Sequence, residues 1–118
     1  MEKTHQERVA EAKTRIREVT ADEVRALPPG ATVVDVRDQA DWAQGHLPGA
    51  RHLPRAILEA RAEQELPDKD APLVLYCGGG GRSTLATDAL QALGYTDVRS
   101  LAGGFRGWKA AGLPTETE

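Results

Sequence analysis

Leu73, Val74, Leu75 and Tyr76 follow Pro72 as an unbroken apolar run, with no polar residue at alternate positions. So short a run, without polar alternation, suits a strand covered on both faces, the situation of interior strands in a parallel sheet flanked by helices. Other strand-like runs occur at residues 16–19, 31–36, 50–53 and 97–101, and helix-like segments separate them. Five strands alternating with helices predict an α/β domain built on a parallel sheet covered on both faces.

Local signals divide the chain further. Thr20-Ala21-Asp22-Glu23 is a capping box, and Val19 and Val24 are spaced as its hydrophobic staple, so a helix should start there and stop at Pro28-Pro29-Gly30. Asp38 is placed to cap a short helix that carries Trp42 and ends at Gly45. A charged surface helix is expected over residues 54–66, and a final helix holds Phe105, Trp108 and Ala111 before Gly112 and Pro114. Residues 1–15 read as a polar arm or a short helix with no assigned chemistry, and residues 16–115 as the folded domain.

The segment after the central run concentrates the chemistry. It reads Cys77-Gly78-Gly79-Gly80-Gly81-Arg82-Ser83, and Ala86, Ala89, Leu90 and Leu93 then recur at helical spacing up to Gly94. Cys77 therefore stands at the carboxyl end of a strand and just before a helix, where ligand crevices of open α/β sheets lie. The unpaired N–H groups of the first helical turn face such a loop, and glycines let the preceding backbone turn its own N–H groups inward. A thiolate within that ring is stabilised by the N–H groups, the helix N-terminus and the Arg82 guanidinium, which makes Cys77 a candidate nucleophile. The alternative, a small buried thiol beside a tight glycine turn, explains neither the arginine nor the following helix.

Composition narrows the partners. The 118 residues carry a net charge of −3 with charged residues intermixed rather than blocked, so no nucleic-acid footprint is present. No apolar leader precedes the first strand and no run could span a bilayer, so no membrane association and a cytoplasmic location are expected. With one cysteine in the chain, an internal disulfide is excluded, and any covalent intermediate on Cys77 must be resolved by another molecule. No Cys/His cluster of metal-ligating spacing occurs, so no metal is expected.

Three stretches together resemble the rhodanese sulfurtransferase family: Val34-Asp35-Val36-Arg37 with Gly45-His46-Leu47-Pro48-Gly49-Ala50, then Cys77 to Ser83, then Leu101-Ala102-Gly103-Gly104-Phe105-Arg106-Gly107-Trp108 with Gly112-Leu113-Pro114. The resemblance implies a three-layer α/β/α fold with a five-stranded parallel sheet. It also implies a single-domain sulfurtransferase without a cofactor, moving sulfane sulfur from thiosulfate or a low-molecular-weight persulfide, by way of a Cys77 persulfide, to a thiol or cyanide. Gly78, Gly79, Gly80, Gly81, Arg82 and Ser83 would cradle the outer sulfur, with Asp35 and Arg37 as supporting residues that either steer an anion or lock the loop. His46 belongs to a Gly-His-x-Pro-Gly turn that is kept for shape, and Trp42, Phe105 and Trp108 are expected to pack.

Four residues lie between Cys77 and Arg82, against five in cysteine phosphatases and arsenate reductases, and the smaller ring favours one carried sulfur atom over a phosphoryl group. The alternative role is a persulfide relay module for a partner protein, docked through acidic residues such as Glu59, Glu63 and Glu65. The loop itself offers only glycines and Arg82 to an anionic donor, which predicts weak use of thiosulfate relative to bulkier persulfides.

Overall fold

The computed structural model of the chain describes residues 2–117. Six helices and five strands alternate among them: α1 His5–Lys13, β1 Arg17–Val19, α2 Ala21–Arg25, β2 Thr32–Asp35, α3 Gln39–Gln44, β3 Arg51–His52, α4 Leu58–Glu65, β4 Leu73–Tyr76, α5 Gly81–Ala92, β5 Val98–Leu101 and α6 Gly104–Ala110. The strands form one sheet in the order β1-β5-β4-β2-β3, and every pairing is parallel. β4 is central, and all four of its residues are buried, as the unbroken apolar run requires.

Side-chain alternation along β4 separates two apolar layers. Leu73, Leu75 and Cys77 join Leu58, Ala62, Ala86 and Leu90 on the face covered by α4 and α5. Val74 and Tyr76 join Val19, Val24, Leu101 and Trp108 on the face covered by α2 and α6. Cys77 thus continues the pleat onto the α5 side, which directs its sulfur toward the start of that helix.

α2 begins with the reciprocal capping box of Thr20 and Glu23, and Val19 and Val24 share the same apolar layer. Such a cap contributes about 1 kcal/mol, which matters for a helix of five residues. Asp38 occupies the N-cap position of α3 but makes no side-chain capping bond, contrary to its expected role. α4 starts at Leu58 rather than near Pro54, because Arg55 N–H donates to the Val36 carbonyl and Ile57 N–H to the Pro54 carbonyl, folding residues 54–57 as turns. β3 is two residues long, one paired step at the sheet edge beside β2.

α1 forms with its own Thr4–Glu7 capping box and packs on α5. Ala12 is buried, Arg15 pairs with Asp88, and the Gln91 amide donates to the Arg15 carbonyl. Its N-terminal half brings His5 and Val9 within 3.9 Å of the space a Cβ on Gly81 would fill.

Candidate active site

The loop after β4 owes its shape to Gly80, whose φ of +112° is open to glycine at little cost. The Gly80 carbonyl accepts from Thr84 N–H at 3.0 Å, from the Thr84 hydroxyl at 2.7 Å and from the Ser83 hydroxyl at 3.2 Å. With its carbonyl held in the first turn of α5, Gly80 directs its own N–H to Cys77 Sγ at 3.0 Å. Ser83 N–H reaches the same sulfur at 3.4 Å, and the Ser83 hydroxyl lies 3.6 Å away.

Cys77 is 2% exposed, and burial alone pushes a thiol's pKa up. The hydrogen bond with the Ser83 hydroxyl and those from the N–H groups of Ser83, Gly80 and Gly79 together outweigh burial and hold the thiol below its ordinary value. The sulfur is therefore primed for ionisation by fixed hydrogen-bond donors.

Arg82 does not join that set. Its side chain is exposed and makes no hydrogen bond or ion pair among the described residues, so no hydrogen bond from this guanidinium reaches the sulfur. Of the four loop glycines, only Gly80 has a positive φ; Gly78, Gly79 and Gly81 meet other demands.

Asp35 and Arg37 form a buried ion pair at the end of β2. Arg37 donates through Nε and Nη2 to the Asp35 carboxylate at 2.7–3.0 Å, and Nη2 also donates to the Gly45 carbonyl at 2.7 Å. The guanidinium lies 4.2 Å from the Phe105 ring centroid. With Nε and Nη2 committed and a ring over its face, Arg37 ties the loop after β2 to α6.

His46 is buried, stacked on Trp42 with ring centroids 3.4 Å apart, and its Nδ1 lies 3.2 Å from the Trp42 carbonyl. It shapes the turn, as its glycine- and proline-flanked setting suggests. Glu59, Glu63 and Glu65 pair with Arg55, Lys69, and Arg51 and Arg61 respectively, so α4 does not present an unneutralised acidic face. Among the described residues, no group of three or more His, Cys, Asp and Glu side chains is disposed to hold a metal ion.

Two residues that sequence reasoning passed over bear on the site. Ser100, on β5, is fully buried with its hydroxyl 2.8 Å from that of Ser83. Its position two residues after Val98, on the same face of the strand, was the available signal. Its hydroxyl can donate to Ser83, so that the Ser83 proton can swing from the Gly80 carbonyl to Sγ when the thiol ionises. Ser100→Ala should raise the midpoint of Cys77 ionisation by about 0.5–1 pH unit, from the loss of one hydrogen bond's worth of thiolate stabilisation. Thiolate absorbance against pH checks this; an unmoved midpoint with a lowered Tm would reduce Ser100 to packing.

The second is Gly104, at the start of α6. Phe105 N–H donates to the Cys77 carbonyl at 2.8 Å and Arg106 N–H to the Gly78 carbonyl at 3.0 Å, so the first turn of α6 grips the nucleophile loop from outside. That approach leaves no room for a side chain at Gly104, where a Cβ would fall 2.5 Å from the Cys77 carbonyl oxygen.

Comparison with known proteins agrees with this geometry. The family model described as "Rhodanese-like domain" matches residues 20–111. The thiosulfate sulfurtransferase GlpE of Ectopseudomonas mendocina (strain ymp) is 41% identical over 103 residues, covering 87% of this chain and 90% of that protein. A protein of unknown function from Rhodopseudomonas palustris CGA009, described as a possible tyrosine phosphatase, superposes with a TM-score of 0.89 at 30% identity, over 98% of this chain and 96% of that one. The polysulfide-sulfur transferase homodimer of Wolinella succinogenes superposes with a TM-score of 0.79 at 27% identity, over 92% and 84% of the two chains.

Proposed function

The chain belongs to the rhodanese-like domain family of sulfurtransferases, and on that premise we propose that Cys77 is its sulfur carrier and that thiosulfate or a small persulfide is its donor. The observation that carries this reading is the convergence of Gly80 N–H, Ser83 N–H and the Ser83 hydroxyl on the chain's one thiol.

The Cys77 thiolate attacks the outer sulfur of the donor. A bond forms from Sγ to that sulfur, the donor's S–S bond breaks, and the leaving group departs with the electron pair as sulfite or a thiolate. Cys77 is left as a persulfide, its outer sulfur within reach of the loop's N–H groups. Cyanide or a thiol then attacks the outer sulfur, leaves as thiocyanate or as a new persulfide, and the Cys77 thiolate is restored. Neither half-reaction requires an added base once the thiol is ionised, which fits the burial of His46 under Trp42.

The backbone from Gly78 to Ser83 forms the cradle, and Asp35 and Arg37 support it structurally. The acceptor is a small nucleophile or the thiol of a sulfur-relay protein, and a cytoplasmic setting would keep Cys77 reduced between turnovers.

The description of the Rhodopseudomonas palustris neighbour as a possible tyrosine phosphatase supplies the contrasting arm of the test. With thiosulfate and cyanide the protein should form thiocyanate, while p-nitrophenyl phosphate should be left intact. Phosphate release without thiocyanate formation would replace this reading with the phosphatase one.

A further inference from the structure

The guanidinium of Arg106 lies beside Gly78 and Gly79 of the nucleophile loop. A Cβ built on Gly79 would stand 2.7 Å from Nη2 and 3.3 Å from Cζ of Arg106, and one on Gly78 would stand 3.6 Å from Nη2 and 3.8 Å from Nε. The side chain is exposed, and its guanidinium makes no hydrogen bond or ion pair among the described residues. Its starting point is nevertheless fixed, because Arg106 N–H is bonded to the Gly78 carbonyl and Phe105 N–H to the Cys77 carbonyl. An unpaired cation is thus held over two glycines immediately after the nucleophile.

The chemistry proposed for Cys77 leaves a need that this cation meets. The inward N–H groups of Gly80 and Ser83 point at the sulfur and are used there. When thiosulfate is attacked, its sulfonate stands one bond beyond the transferred sulfur, outside that ring, and carries negative charge that grows as sulfite leaves. A planar guanidinium matches two oxygens of such a group.

We infer that Arg106 is a specificity-determining residue that selects donors with an oxyanion next to the transferred sulfur, pairing with that oxyanion over Gly78 and Gly79. The inference rests on the proposed sulfur transfer and reverses the expectation of weak thiosulfate use, which assumed that Arg82 was the only cation at the loop. It also gives Gly79 a role: a side chain there would occupy the space next to the guanidinium. Gly79→Ala, at a backbone angle alanine tolerates, should displace the cation while leaving its charge in the chain.

Binding and turnover test it separately. Thiosulfate titrated into Cys77→Ser protein, which cannot react, should bind at least about tenfold more weakly when Arg106→Ala is added, the loss expected for one charge-assisted pair. Arg106→Lys should recover part of the loss, and Gly79→Ala should reproduce part of it. In protein with Cys77 intact, Arg106→Ala should lower the kcat/KM ratio of thiosulfate to cysteamine persulfide, whose tail is cationic. Equal thiosulfate affinity with and without Arg106, or no binding by either protein, overturns the assignment. A protein that binds thiosulfate through Arg106 but transfers sulfur from neither donor would instead overturn the proposed function and leave the anion site standing.

Discussion

Cys77→Ser should eliminate thiocyanate formation from thiosulfate and cyanide while the protein stays folded. The serine hydroxyl is close to the thiol in size and can still accept from Gly80 N–H, so the loss of stability at neutral pH should not exceed about 3 kcal/mol, the upper cost of a buried polar group left without a partner. Activity should fall to the uncatalysed rate, because no other thiol in the chain can carry sulfur.

The same pair of proteins should differ in the pH dependence of stability. The native thiol ionises below the ordinary value of 9.0, so the unfolded chain holds its proton over a pH window where the native protein has lost it. Stability contributed by the thiolate is therefore complete above the ordinary value and is lost as pH falls through the native one. Wild type should gain on Cys77→Ser as pH rises through that window. A constant difference measured by denaturant unfolding would mean that the loop does not favour the thiolate.

Gly104→Ala should have the largest effect on folding of any single methyl group added near the site. The new Cβ would meet the Cys77 carbonyl oxygen at 2.5 Å and the Gly78 carbonyl oxygen at 2.7 Å, both rigid backbone, at a φ of +56°. The left-handed conformation costs about 1–2 kcal/mol in a residue with a Cβ, and each loop hydrogen bond lost as α6 retreats costs about 1 kcal/mol more. The sum, about 3–4 kcal/mol, should lower Tm by roughly 15 °C in a domain of this size.

Gly103 is the control. Its φ is +78°, but an added Cβ would have Gly107 Cα at 3.7 Å as its nearest contact, so Gly103→Ala should cost only the conformational strain. Thermal unfolding of the two variants decides the matter. Equal losses would show that left-handed geometry, rather than the approach of α6 to the loop, makes Gly104 necessary.

The fold was legible where one pattern met one constraint. The unbroken run at Leu73 to Tyr76 had to be an interior strand, and the glycine stretch followed by helical periodicity had to turn into α5; both stand where expected. The edge strand was less legible: residues 50–53 predicted a strand longer than the observed Arg51–His52, because Ala50 N–H is bonded within a turn to the Leu47 carbonyl. Residues 54–57 have helix-like composition, but their N–H groups are drawn to carbonyls of the neighbouring loop and of their own turn.

At the site, local sequence revealed the nucleophile and its backbone donors, since both arise within one strand-loop-helix unit. Arg82 shows the limit of that reading: nearness in sequence placed it at the loop, but its side chain takes no part in the hydrogen bonds around the thiol. Arg106 shows the converse. It stands 29 positions after Cys77 in the chain and reaches the loop only because two successive backbone hydrogen bonds dock α6 there. The double glycine before Phe105 was visible as a motif, but its reason, the closeness of two carbonyl oxygens, exists only in the folded chain.

The most direct measurement is the intact mass of the protein after incubation with excess thiosulfate and removal of the small molecules, followed by peptide mapping. The account predicts one added sulfur atom per chain, located on the peptide containing Cys77, removed by cyanide and absent from Cys77→Ser. Folded wild-type protein that gains no sulfur from thiosulfate or from glutathione persulfide, or that gains it equally in Cys77→Ser, would contradict it.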